Sequence, residues 1–294
     1  MSAPRYRWQP TTRDIAERLG IPRSRIVRFD HNTSPFPTDW AIPLAEETAA
    51  RLNEYPGANY RPLREAAARY LGVEATNVVP GAGVDELILL VARAFLGPGR
   101  RSVAMSPTYP LYRIAAAQVG ADHVDVPADD GLATPVDALA AAARDADVLW
   151  LCVPNNPTGE RIPDEAVLRL VDAAGGLTFL DAAYAEIAGD RWSHLVARDD
   201  VLVAHTLSKG FGLAGLRVGF AAGAPDLVDA LDGVRPPGSI AEPAAVIAEA
   251  ALDDPSRMER NVARLVAERD RLAAALEDLG FDVHPSTANF LLCR

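Results

Sequence analysis

The chain is poor in several of the residues that mark whole classes of protein. It has two cysteines in 294 residues, Cys152 inside an apolar run and Cys293 next to the end. That excludes a disulfide framework and a thiolate cluster for zinc. Five histidines, His31, His123, His194, His205 and His284, stand far apart with no HxxxH or HxH pair among them. No histidine-held metal is expected, and these side chains should be solvated or at the core edge. No stretch approaches the roughly 18 apolar residues of a membrane span, and the opening MSAPRYRWQPTTRD has no apolar targeting segment. The expectation is a cytoplasmic protein with no membrane partner. Basic stripes are also missing: the net charge is −11, with acidic and basic residues interspersed. This argues against nucleic acid, whose phosphates need clustered cations.

What is abundant is apolar carbon, 49% of residues, enough for one large α/β domain and a smaller appendage. From residue 78 onward, short apolar runs alternate with longer Ala/Leu-rich helical patterns, the signature of a mostly parallel sheet flanked by helices. The spacing predicts strands at 78–79, 102–105, 148–153, 177–181, 201–205 and 218–221, and helices at 85–95, 110–119, 164–173 and 225–231. Unbroken apolar runs suit strands buried on both faces. Over 258–279, Val262, Leu265, Val266, Leu272, Ala273, Leu276 and Leu279 mark a long amphipathic helix. Two strand-like runs follow it, 281–283 and 289–293. The expected organisation is an N-terminal arm and loop over 1–40, which includes NTSPFP at 32–37, then a large domain over 41–250. A linking helix and the start of a small, incomplete C-terminal domain occupy 251–294.

Four motifs fall at the carboxyl ends of predicted strands, where open α/β sheets bind ligands. Residues 78–79 run into PGAGVDELILL, a Gly-rich turn before a helix; it is either a structural connection or a set of free amides for a phosphate. Strand 148–153 leads into PNNPTG, which presents the Asn156 amide. LTFLDAAY puts Asp181 at the last position of a buried strand with Tyr184 three residues on. An acid there is either an N-cap or the partner of a ligand that offsets its burial. HTLSKGFGLAGLRVGF gathers Thr206, Ser208, Lys209 and Arg217 around a glycine-rich bend, a nucleophilic amine beside hydroxyl and guanidinium donors.

In order and spacing, NPTG, DAAY and SKGFGLAGLR resemble the motifs of fold type I aminotransferases, which use pyridoxal 5'-phosphate (PLP). The match spans nearly the whole chain. YPGANYRPLREAAARYLGV at 55–73, GVDELILLVARAFL at 83–96 and SPTYPLY at 106–112 are similar to the histidinol-phosphate aminotransferase branch. Threonine-phosphate decarboxylases are close relatives and an alternative. The resemblance implies that Lys209 holds PLP as a Schiff base and then moves the proton. It implies that Asp181 pairs with the pyridine nitrogen, that Asn156 and Tyr184 bond the 3'-oxygen, and that Tyr109 stacks on the ring. The phosphate would take the amides of Gly83, Val84 and Asp85, the hydroxyls of Thr206 and Ser208, and the Arg217 guanidinium. Tyr55 matches a tyrosine that reaches the phosphate from the neighbouring subunit, so a homodimer is implied. An amino donor and a 2-oxo acid acceptor are the implied small-molecule partners.

Two departures stand out. Ala182 replaces the glutamate of the more usual DEAY, and NTSP at 32–35 replaces the more usual NENP near the substrate entrance. The string Gly210-x-Gly212-x-x-Gly215 also satisfies a dinucleotide fingerprint, but a strand-like LRVGFAAG follows it and Arg235 stands where an acid is needed. Residues 288–294 resemble the first inner strand of the family's small domain, whose later elements supply the arginine that clamps the substrate carboxylate. The expectation is therefore a piece of a longer enzyme, or a shortened protein that binds PLP and transaminates poorly, with Arg294 a weak candidate for the clamp.

Overall fold

The computed structural model describes residues 6, 8–57 and 59–294. Seven strands form one sheet: β1 (Val78–Gly81), β2 (Arg101–Ser106), β3 (Asp122–Pro127), β4 (Val148–Cys152), β5 (Leu177–Asp181), β6 (Val201–Thr206) and β7 (Gly219–Gly223). They lie in the order β1-β7-β6-β5-β4-β2-β3. Strand β7 runs antiparallel to both neighbours, and every other pairing is parallel. The carboxyl ends of β1, β4, β5 and β6 therefore share one edge, which aligns the four motifs.

Alternation explains why the sheet is buried on both sides. Val103, Leu149, Leu151, Val201, Val203 and Phe220 enter one core, whereas Ala104, Trp150, Phe179, Leu202 and Ala221 enter the other. Such neighbours point to opposite faces of a pleated strand. One layer includes α4 (Val84–Phe95), α5 (Leu111–Gln118) and α9 (Pro225–Val234); the other includes α3 (Arg61–Leu71), α6 (Val136–Ala143), α7 (Asp164–Ala173) and α10 (Glu242–Asp253). In α4, Val84, Leu87, Ile88 and Val91 are buried at helical spacing. No helix among the described residues is long and apolar enough to cross a membrane.

The structure departs from the sequence reading in four places. The arm contains α1 (Thr12–Leu19), which opens with a capping box between Thr11 and Asp14 and closes on Gly20 in the left-handed region. It is followed by α2 (Ile42–Ala49). Strand β3 was not expected, because it is an edge strand on which only Val126 is buried, so its sequence shows no apolar run. The runs 281–283 and 289–293 do not become regular strands. They meet in a single antiparallel bridge, Val283 to Cys293, flanked by His284 N to Leu292 O at 2.8 Å and Arg294 N to Asp282 O at 2.9 Å. A two-stranded ribbon without a third neighbour has little to hold it flat. The His205 ring, expected in solvent or at the core edge, is fully buried. It faces Glu186 Oε1 at 3.0 Å and stacks on Phe220.

The long helix α11 (Ser256–Asp278) turns Val262 and Val266 toward Tyr184, Ile187, Ala288 and Phe290, near the short helix α8 (Ala185–Ala188). That contact carries the segment beyond α11 back to the carboxyl edge of the sheet.

Candidate active site

At that edge lies a cavity of about 530 Å³ lined by Val84, Asp85, Tyr109, Asn156, Asp181, Tyr184, Thr206, Ser208, Lys209 and Arg217, together with Asp30, His31 and Asn32. Every residue that the resemblance assigns to the cofactor lines it except Gly83 and Tyr55. Gly83 stands directly behind the lining: a Cβ on it would meet Arg217 Nη2 at 2.8 Å, and its φ of +83° suits only glycine. Its amide is not free for a phosphate. That N–H donates to Gly81 O over 2.7 Å, closing a tight turn, so Val84 and Asp85 head the helix. The first amides of a helix have no acceptor within it and favour an anion. Tyr55 is 98% exposed and is not brought into the site within one chain.

Asp181 ends β5 almost wholly buried. Burial pushes its carboxyl up to about 6, against the pull of hydrogen bonds from the Tyr112 hydroxyl at 2.7 Å and the Ala183 amide at 3.0 Å. Lys209 follows β6. Burial draws its amine down to about 8, with Asp85 opposing. Its Nζ donates to the carbonyls of His31 at 3.0 Å and Asn32 at 3.2 Å, and stands 5.5 Å from the centre of the Tyr184 ring. Burial raises the Tyr184 phenol well above its ordinary value, and the Asn32 amide donates to it at 3.4 Å.

On the opposite wall, Arg217 donates to Asp85 Oδ2 at 2.9 Å and reaches Ser208 Oγ at 3.5 Å. Tyr109 donates to Asp85 Oδ1 at 2.8 Å. Thr206 and Ser208 bond each other at 3.0 Å. One side of the cavity thus offers a guanidinium, two hydroxyls and a helix start, and the other offers an amine and a carboxyl. This set fits a planar aldehyde that carries a phosphate at one end and a basic ring nitrogen at the other.

The model of the family described as aminotransferase class I and II matches residues 26–294. The chain is 44% identical over 289 residues to the histidinol-phosphate aminotransferase of Roseiflexus castenholzii, covering 95% of this chain and 78% of that one. It is 34% identical over 274 residues to histidinol-phosphate aminotransferase 1 of Trichormus variabilis, covering 92% and 78%. The chain belongs to the class I and II aminotransferases. It shares their dependence on PLP. The crystal structure of the histidinol-phosphate aminotransferase of Sinorhizobium meliloti in complex with pyridoxal-5'-phosphate superimposes on it with a TM-score of 0.88 at 27% identity, covering 96% of this chain and 78% of that one.

Several residues of the aminotransferase site were not found from sequence. Tyr112 has no exposed surface, stacks on Trp150 at 5.3 Å and supports Asp181. Asn155, beside the expected Asn156, is buried and ties two loops together: it accepts from Thr108 at 2.6 Å and donates to Pro107 O at 3.1 Å. Arg294 pairs with Asp282 at 2.7 Å and is absent from the cavity lining. One signal was available in composition alone. Lys209 is the only lysine in this aminotransferase, and every other guanidinium or ammonium side chain is arginine.

Proposed function

We propose that this aminotransferase moves an amino group from a phosphate-bearing amino alcohol of the histidinol phosphate kind to a 2-oxo acid. The same reading assigns PLP to the cavity around Lys209. It is carried by one observation: a half-buried amine just past the end of β6 and a buried carboxyl at the end of the neighbouring β5 face a shared cavity whose far wall is built for a phosphate. The names of the relatives at 44% and 34% identity support the donor.

When bound, PLP supplies an aldehyde for covalent capture of an amine and a ring that accepts electrons released at the substrate carbon. The protein's part is division of charge and movement of one proton. Lys209, lowered to about 8 by burial, has a sizeable neutral fraction near neutral pH, the form that attacks an aldehyde. When not bonded to the cofactor, its Nζ would take the proton from the substrate carbon and return it one position away. Asp181, kept largely ionised above about 6, would hold a proton on the ring nitrogen. Asn156 and Tyr184 would hold the ring oxygen, and Tyr109 would cover the ring face. Arg217, Thr206, Ser208 and the amides of Val84 and Asp85 would hold the phosphate, with Gly83 giving them room. Tyr55, fully presented to solvent in one chain, would complete the phosphate site of a second copy in a homodimer.

The test is to mix holoenzyme with histidinol phosphate and a panel of 2-oxo acids and to follow both products. Amino-acid formation matched by loss of the donor amine is expected. Release of carbon dioxide from threonine phosphate without amino transfer would point to the decarboxylase alternative, and no exchange with either donor would sink the reading.

A further inference from the structure

Asn289 was assigned no role in the site, yet its side chain shares a hydrogen-bond acceptor with the reactive amine. It lies beyond α11, and its Nδ2 donates to the Asn32 carbonyl over 3.0 Å. That same carbonyl accepts from Lys209 Nζ at 3.2 Å, beside the His31 carbonyl at 3.0 Å. Asn32 holds this position with φ at +50°, a left-handed conformation that asparagine tolerates better than most residues. Its own amide donates to the Tyr184 hydroxyl at 3.4 Å. The next residue, Phe290, packs edge-on against the Tyr184 ring at 5.2 Å. One short segment therefore braces both the carbonyl that receives Nζ and the ring beside Nζ.

The other end of the Asn289 amide bears on its role. Oδ1 is buried with no hydrogen-bond partner, which is costly for an amide oxygen. An apolar side chain would fill the space without that cost, so what the amide adds here is its donated hydrogen to Asn32.

We propose that Asn289 is a positioning residue for Lys209, fixing the Asn32 carbonyl as the resting acceptor of the lysine amine whenever that amine is not bonded to cofactor. This rests on the reading of Lys209 as the cofactor lysine. Two fixed carbonyls favour the charged amine over the neutral one. The charged and titratable groups facing Lys209 are Asp85 and Asp181, which favour the charge, and Arg217, which disfavours it, with the Tyr184 ring and the His31 turn alongside. If Asn289 cannot donate, the Asn32 carbonyl is free to turn away and the ammonium form loses support.

Because Lys209 is the only lysine, its titration can be read directly. Cofactor-free full-length chain is treated with acetic anhydride across pH, and acetylation of the Lys209 peptide is measured by mass spectrometry against the α-amino group. In Asn289→Leu, which fills similar volume without a donor, the midpoint should fall from about 8 by about 0.5 to 1 pH unit, so that labelling at pH 7 rises roughly three- to fivefold. Asn289→Ala should shift in the same direction. A midpoint unchanged in both variants overturns the proposal. So does a midpoint rising toward that of free lysine, which would mark Asn289 as a structural residue only. Borohydride trapping on wild-type holoenzyme tests the cofactor reading independently of either variant.

Discussion

The Tyr112 hydroxyl donates to Asp181 Oδ2 across 2.7 Å, while the Ala183 amide donates to Oδ1 at 3.0 Å. These two donors oppose the burial that raises the Asp181 carboxyl to about 6. Removing one with Tyr112→Phe should raise that value further. A hydrogen bond to a charged group contributes about 1.5–3 kcal/mol, a rise of about one to two pH units, so turnover at pH 7 should fall roughly two- to fifteenfold with PLP still bound. The acid limb of the pH profile of kcat should move to higher pH. An acid limb in the wild-type position would remove Tyr112 from this role.

Asp181 also makes the cofactor-free protein sensitive to pH. Its folded value of about 6 lies above the ordinary 3.8. The favourable contribution is therefore fully present below 3.8 and lost as pH rises through 6, where the folded state must bury a charge. The whole span is worth about 3 kcal/mol at most. Asp181→Asn should accordingly raise the melting temperature of cofactor-free protein at pH 8, with a gain that shrinks toward pH 4. A variant less stable than wild type at pH 8 would show that the lost hydrogen bonds outweigh the buried charge.

Gly83 leaves room for Arg217. In Gly83→Ala the new methyl would press on Arg217 Nη2, 2.8 Å away, in a backbone conformation strained for alanine. The guanidinium must move, and affinity for PLP should fall about tenfold or more, roughly the value of one charge-assisted hydrogen bond. Spectrophotometric titration with PLP measures it. Wild-type affinity would place the phosphate away from Arg217.

Borohydride reduction of the holoenzyme should leave a pyridoxyl group on Lys209, and Lys209→Arg should take up none covalently. Peptide mapping decides. An unmodified Lys209 peptide after reduction of a yellow holoenzyme would end its assignment.

Tyr55 is exposed in one chain. A dimer is expected by sedimentation, and Tyr55→Phe should weaken PLP binding several-fold while leaving the dimer intact. A monomer that binds PLP as tightly as wild type would exclude a shared site.

Six of seven strands were legible because burial on both faces writes a continuous apolar run into the sequence, as in Val148–Cys152. Strand β3 was not, since an edge strand with one buried residue, Val126, carries no such run. Helix α1 announced itself through Thr11 and Asp14, a capping box inside an arm with five prolines in its first forty residues. The site divides along similar lines. Lys209, Ser208 and Arg217 are neighbours in sequence and were found as a motif. Asn32 meets Tyr184 across 152 residues, Tyr112 meets Asp181 across 69, and Asn289 meets Asn32 across 257. No local pattern encodes pairings set by which loops the sheet brings to one edge. The Gly83 amide was misjudged because the sequence shows a glycine but not its bond back to Gly81.

The single lysine has a consequence for how the protein can be cut. A protease that cleaves only after lysine has one target bond in 294 residues, between Lys209 and Gly210. Gly210 is buried, close against Glu186, so the bond is reached only when the loop after β6 opens. Digestion should then yield two fragments, 1–209 and 210–294, at a rate set by how often that loop opens. A cofactor bonded to Lys209 would hide the cleavage signal itself. Susceptibility to one protease would report the occupancy of the catalytic position without any assay of turnover.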